Sequence, residues 1–250
     1  MDPMTISAAS GLRARMETLD MLANNLANAA TGGFKSDREF YSLYVSGEAQ
    51  ASADAMPGEV PTTVPVIEKH WTDFSQGLLV PTGNSLDLAL TGKGFFAVNG
   101  PSGPLYTRNG NFRLSASGVL ETAEGYPLRV QGGKTIKTQS SGSLQVLPDG
   151  EVRQDGQALG KLELASLSDK TPMVKQGNNY FSLTEPNAKP APAADARVEQ
   201  GKIENSNVSP AEAAVRLVSV MRQFEMLQKA ISLGADMNRR AVEEVARVGS

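Results

Sequence analysis

The sequence predicts an α+β chain: a mainly β central body inserted between long N- and C-terminal helices that pack as an assembly coiled coil. Three observations predict it. Thr5, Ala9, Leu12, Met16, Leu19, Ala23, Leu26 and Ala30 recur at alternating steps of four and three, the spacing of an a/d seam. Leu217, Val220, Phe224, Leu227 and Ile231 repeat the pattern near the other end, widened by Ala214, Met221 and Gln228. Between them, short alternating or β-branched runs are separated by Gly, Pro, Asn and Asp.

The first helix is expected over about Met4 to Ala30, roughly 40 Å at 1.5 Å per residue. Gly32 and Gly33 then suit its C-terminus, because glycine takes the left-handed conformation that lets the last carbonyls find partners. Phe34 offers an apolar face just past the cap. Asn24, Asn25, Leu26, Asn28, Gly32, Gly33 and Phe34 therefore read as a hinge from helix to extended chain. The expected divisions are 1–35 for the N-terminal core helix and hinge, 36–65 for an extended or mobile linker, 66–200 for the β-rich body and 201–250 for the C-terminal core helix. Within the linker the small polar run Ser46–Ala55 has too little apolar area to offset its ordering entropy and reads as a mobile loop.

Strands are expected at Val64–Trp71, Leu86–Leu90, Phe95–Val98, Leu105–Arg108, Asn111–Leu114, Val119–Glu121, Pro127–Val130, Lys134–Lys137, Ser143–Leu147, Gly150–Arg153, Gly160–Ser166 and Asn179–Leu183. Asn109-Gly110, Asp149-Gly150 and Asp155-Gly156 are hairpin dipeptides. Glu185–Ala194, rich in Pro and Ala, reads as an exposed loop. The second helix opens with Ser209 as N-cap, Pro210 at the first helical position and Glu212 completing a capping box, and runs to about Arg247, roughly 55 Å. Neither helix can bury its stripe alone. Leu12, Met16, Leu19, Leu26, Leu217, Val220, Phe224, Leu227 and Ile231 are accordingly the expected assembly interface, with a helical hairpin packed on its own domain as the alternative.

Composition closes several functions. With 250 residues, 40% hydrophobic and 20% charged, the chain has an ordinary globular balance, and a net charge of -3 without a basic cluster argues against nucleic acid. The absence of cysteine excludes disulfides and thiolate chemistry. Gly92-Lys93-Gly94 lacks the spacing and the following Ser or Thr of a phosphate loop. His70, the only histidine, stands beside Trp71 and Asp73 but has no nucleophile or oxyanion hole to serve. No catalytic residue, cofactor or metal ligand is expected. No run reaches the roughly 20 apolar residues of a membrane span, so no direct membrane insertion is expected. Arg13, Arg15, Glu17 and Asp20 interrupt the N-terminus where a secretory signal would be apolar.

Ala23-Asn24-Asn25-Leu26-Ala27-Asn28 followed by Thr31-Gly32-Gly33-Phe34-Lys35 resembles the N-terminal signature of bacterial flagellar basal-body rod and hook proteins. Asp73–Gly77, Thr82–Leu90, Gly92–Val98 and Tyr106–Phe112 resemble that family's middle region in the same order. Gly201–Val208 resembles the segment before its C-terminal helix. Ala29-Ala30 departs from the family's commoner Asn before the Thr. Chain length and Arg222-Gln223-Phe224-Glu225-Met226 are most similar to the proximal-rod members, ahead of distal-rod or hook subunits. The resemblance implies a non-enzymatic subunit of the periplasmic rod, exported uncleaved by the flagellar type III apparatus. It also implies partners among other rod and hook proteins and self-association through the terminal helices. A soluble β-rich hydrolase using His70 and an adhesin-like surface module are the alternatives from other classes.

Overall fold

In the computed structural model, which describes residues 3–45, 63–138, 142–166, 173–177, 179–184 and 190–248, the chain falls into two units. The first comprises Met1–Ala27, Ser36–Asp73 and Ser209–Ser250, the second Asn28–Lys35 and Phe74–Val208. The chain thus passes between units at four points. The expected Ser46–Ala55 loop lies outside the described residues, as do residues 185–189 of the expected Glu185–Ala194 loop.

The first unit holds helix α1 (Pro3–Ala27), strands β1 (Asp37–Val45) and β2 (Thr63–Thr72), and helix α2 (Pro210–Val248). The start of α2 follows its sequence signals: the Ser209 carbonyl accepts the first intrahelical bond from Ala213 N–H at 2.9 Å, as an N-cap residue does. Helix α1 ends three residues before the expected Ala30. The Thr31 N–H bonds the Asn28 carbonyl and the Phe34 N–H bonds the Thr31 carbonyl, so successive tight turns replace the i→i−4 ladder. The stretch expected as linker contains β1, which pairs antiparallel with β2 from Asp37 opposite Thr72 to Val45 opposite Thr63, with an irregularity between Phe40 and Tyr41. Aromatic and β-branched residues from Phe40 to Val45 account for that strand.

The helices pack on each other through Met21, Leu22 and Val220, with Leu19 and Leu217 against them. Among the described residues of α1 the buried positions are Ala14, Thr18, Met21, Leu22 and Asn25. Their mean direction lies roughly 140° around the helix from that of the expected Leu12–Met16–Leu19–Ala23–Leu26 seam at 3.6 residues per turn, of which Leu19 nonetheless packs against the helix contact. The difference has a physical reason. Thr18 enters the interface without an unpaired hydroxyl because Oγ1 donates to the Ala14 carbonyl at 2.9 Å, and Asn25 has backbone partners of its own. A polar residue satisfied this way costs little to bury, so the helix face cannot be read from apolar residues alone.

The second unit is built of short antiparallel strands. Six of them form one sheet in the order Met173–Lys175, Tyr180–Leu183, Gly103–Thr107, Phe95–Gly100, Leu164–Ser166, Ala191–Pro192. Phe95–Gly100 lies within this sheet and is buried on both faces. Phe96 and Val98 join the larger core with Leu88, Phe112, Leu128 and Val152, while Phe95 and Ala97 join Tyr106, Ala165 and Phe181. That explains the unbroken apolar run, since alternation survives only where one face meets water. Phe74, Phe95 and Phe181 meet edge to face with centroids 5.4 to 5.6 Å apart.

Three expectations for this unit need correction. Gly160–Ser166 is two strands, Gln157–Lys161 and Leu164–Ser166, because the chain changes sheets where Leu162 N–H bonds Gly150 and Glu163 N–H bonds Arg129. Pro192, with Ala191, forms an edge strand in the expected exposed loop, a position where proline's missing donor is tolerated. Asn109-Gly110 closes no hairpin. A Cβ on Gly110 would stand 1.5 Å from the Leu88 carbonyl oxygen, so this glycine serves close backbone approach. Asp155-Gly156 does turn a hairpin, with φ of 49° and 82° between Glu151–Gln154 and Gln157–Lys161.

The helix pair's buried residues cluster at the Met21 and Val220 level, whereas α2 is exposed on every side from Ser232 to Arg240. An unpacked helical segment is marginal in water. We expect amides of residues 232–240 to exchange at close to intrinsic rates in the dilute monomer and those of 214–224 to be protected. Uniform protection along α2 would contradict this reading of its packing.

Candidate functional site

The site begins with Glu204, the last residue of the strand Lys202–Glu204, which pairs with Leu79–Pro81. Its side chain is fully buried in the second unit. Lys35 Nζ donates to Oε1 at 2.6 Å, Gly77 N–H donates to the same oxygen at 2.8 Å, and Arg108 Nη1 donates to Oε2 at 3.0 Å. Lys35 is as buried as Glu204, and Arg108 is nearly so. Two cations on one carboxylate leave the site positive by one charge. Backbone carbonyls supply the balance: Ser75 accepts from Lys35 at 2.6 Å, Leu90 from Arg108 at 3.2 Å, and Gly92 from the other Arg108 terminal nitrogen. Burial lowers the Arg108 pKa from its ordinary value, and the Glu204 charge and hydrogen bond oppose that shift. The Arg108 guanidinium also lies 5.3 Å from the Phe95 ring centroid, so an aromatic face shares its charge while Nε has no hydrogen-bond partner.

Glycine brings the N-terminal segment to this place. Gly33 has φ of 68°, and its N–H donates to the Glu204 carbonyl at 2.7 Å. A Cβ there would lie 2.3 Å from Asn109 N and 2.4 Å from the Arg108 carbonyl carbon. Only a bare Cα lets the Thr31–Lys35 turn lie against the Arg108–Asn109 backbone. The left-handed conformation expected at Gly33 is present, but it serves this contact and not the cap of α1. Its neighbours are tied in as well. The Gly32 carbonyl accepts from Asn179 Nδ2, and Phe34 is buried beneath the Lys175 ammonium, 4.8 Å from its ring centroid. Asn207 N–H donates to the Phe34 carbonyl at 3.3 Å.

Of the other hinge residues, Asn25 belongs to the first unit. Its Nδ2 donates to the Asp37 carbonyl at 2.8 Å and its Oδ1 accepts from Asp37 N–H at 3.0 Å, so the amide pairs with the start of β1 as a neighbouring strand would. Asn28 accepts from Thr31 Oγ1 at 3.3 Å. Asn24 is exposed and Leu26 half-buried. The expected interface residues divide between the two faces of the helix pair. Val220 is buried and Leu217, Phe224, Leu227 and Ile231 are half-buried on the inward face of α2, whereas Leu12 is half-buried and Met16 52% exposed on α1. Leu19 packs beside Met21 and Leu22.

The family model described as flagella basal body rod protein matches residues 7–35. That of the flagellar hook protein FlgE/F/G D1 domain matches 89–154, and that of the flagellar basal body rod FlgEFG protein C-terminal matches 199–244. The flagellar basal-body rod protein FlgF of Caulobacter vibrioides is 34% identical over 92% of both chains. The chain belongs to the flagellar basal-body rod protein family. FlgF of Mesorhizobium japonicum is 33% identical over 89% of this chain and 88% of its own, and the rod protein FlgG of Caulobacter vibrioides is 32% identical over 92% and 95%. Each matched segment of this rod-family chain contributes one member of the buried triad: Lys35, Arg108 and Glu204 respectively.

Sequence reasoning passed over those three residues. Each stands in a block that carried the resemblance, yet a charge beside Gly, Asn or Ser reads as solvated, and the triad joins positions 169 apart. The available signal was one anion and two cations within otherwise weakly charged motifs.

The triad predicts an asymmetry. Glu204→Gln leaves two buried cations facing each other, and it is expected to destabilise the second unit by about 3–5 kcal/mol, the cost of breaking a buried pair. Lys35→Met leaves Arg108 to compensate the carboxylate and is expected to cost less. Urea unfolding of both variants measures the order, and equal or reversed losses would contradict it. Gly33→Ala should also destabilise, by more than about 1 kcal/mol, since it meets both an unfavourable φ and a backbone collision.

Proposed function

We propose that the chain is a structural subunit of the proximal rod of the bacterial flagellum, polymerising through α1 and α2 to form part of the drive shaft. The observation that carries this reading is the agreement with FlgF rod proteins along some nine-tenths of the chain, joined to the triad that ties together all three family segments. Distal-rod or hook-type placement within the same family is the second reading, favoured by the similarity to FlgG over a comparable span. Its partners are other rod and hook-family subunits and further copies of itself. The subunit reaches the periplasmic rod through the flagellar type III apparatus without cleavage.

The physical task of such a subunit is to carry torque without chemistry. A β unit closed by buried charges supplies rigidity, and a helix pair with outward apolar side chains supplies contacts to neighbours. No helix among the described residues is long and apolar enough to cross a membrane. His70 lies in β2 at the register position opposite Glu39; the family to which the chain belongs consists of structural rod proteins, and a hydrolase is not proposed.

Leu19→Asp and Phe224→Asp place a carboxylate on the helix pair of the first unit, where an unpaired buried charge costs several kcal/mol. Both are expected to leave the melting transition of the second unit within about 2 °C of wild type while abolishing rod completion and swimming. The measurements are calorimetry on the purified variants and electron microscopy of basal bodies from cells expressing them. A variant that still supports swimming, or a tagged wild-type chain absent from basal bodies, would count against the reading.

A further inference from the structure

The last piece of the second unit in chain order is also the piece that completes it. Arg197–Gln200 pairs with Leu88–Thr91 and Lys202–Glu204 pairs with Leu79–Pro81, and neither partner has another strand beside it among the described residues. Leu88 and Leu90 are fully buried, and Val198 joins them in the larger core. Gln200 closes a third edge with its side chain. Its Oε1 accepts from Val146 N–H at 3.1 Å and its Nε2 donates to the Leu144 carbonyl at 2.9 Å, as the peptide of a neighbouring strand would along the outer side of Leu144–Val146. The Gly201 carbonyl accepts from Thr82 N–H at 2.8 Å, and Glu204 supplies the carboxylate of the triad. Buried backbone groups deprived of such partners cost as much as lost hydrogen bonds.

We propose that Arg197–Glu204 is the closing segment of the second unit and that Glu204 is its completion check: the unit does not fold until this carboxylate reaches Lys35 and Arg108. Order along the chain is the first argument. The two cations precede the anion by 169 and 96 residues, so a chain delivered N-terminus first presents both before anything that can neutralise them. Charge is the second. Without Glu204 the places that Lys35 and Arg108 occupy hold two buried cations and no anion, which burial makes strongly unfavourable. Strand pairing is the third, because Leu79–Pro81 and Leu88–Thr91 wait on the same segment. The residues of the unit that precede Arg197 therefore stay open, whether they leave a ribosome or a transport channel, and the unit folds in one step once residue 204 is free. Closure over so long a separation is slow, so the chain remains extended for longer than local strand pairing alone would allow.

Refolding of the purified full-length chain from urea, read by pulse-labelled hydrogen exchange, tests the order of closure. Ala97, Asn99 and Leu128 amides donate to the Glu163, Pro127 and Leu120 carbonyls, all outside the closing segment. Gly33, Gly77 and Thr82 amides donate to Glu204 or Gly201. The expected result is a single phase in which both sets gain protection at rates within threefold of each other. Protection of the first set more than threefold faster would show a body that folds before its last segment docks, and would overturn the proposal. The kinetics of Glu204→Gln give a second readout. Closure within the rate-limiting step places most of the variant's loss on refolding, slowed by roughly a hundredfold, with unfolding changed far less. An unaltered refolding rate with faster unfolding would also overturn it; if the variant does not refold, the wild-type labelling decides. Neither measurement depends on incorporation into basal bodies, so failure here leaves the rod reading standing.

Discussion

One buried carboxylate organises the second unit. Glu204 accepts from Lys35, Arg108 and Gly77, and through them it fixes Thr31–Lys35, the end of Gly103–Thr107 and the loop after Phe74 around one point. A charge this deeply buried is tolerable only because its partners are in place and the surplus positive charge is met by backbone carbonyls. Any arrangement that withdraws the Thr31–Lys35 segment leaves an incomplete site. The triad therefore gives geometric specificity to Thr31–Lys35 and Lys202–Glu204 within the second unit, and it does so without a covalent link.

The first unit solves a different problem. Its interhelical core is thin, a few residues centred on Met21, Leu22 and Val220, and Ser232–Arg240 of α2 is exposed. A helix so exposed is marginal on its own and would gain from any partner that covers it. For a rod subunit this division is physically sensible. A β unit that is complete in itself can hold its shape under load.

Much of the architecture was legible because local rules and tertiary structure agree. The Ser209-Pro210 start of α2, the two-helix frame and most strands of the second unit follow from capping chemistry and alternation. Legibility failed where a polar residue was satisfied by a distant or unforeseen partner. Thr18 and Asn25 look like solvent positions until their partners are known, so the spacing of apolar residues alone does not show that they are buried. Gly33 shows a partial success: its conformation follows from its residue type, but the Arg108–Asn109 backbone that requires it is far away in sequence. Lys35, Arg108 and Glu204 show the limit most plainly, because nothing local distinguishes a buried ion triad from three surface charges. Family resemblance located the blocks that contain them, and only the fold gave those charges a common role.

Native-state hydrogen exchange at Gly33 and Gly77 tests the central claim most directly, because these amides donate to Glu204, one to its carbonyl and one to its carboxylate. If the triad locks the N-terminal turn into the β unit, both amides exchange only through global unfolding of that unit, with the same opening free energy as its core strand Phe95–Gly100. Exchange at Gly33 by a local opening, well below the free energy of that strand, would show that the turn leaves the site while the unit stays folded, and would contradict the account.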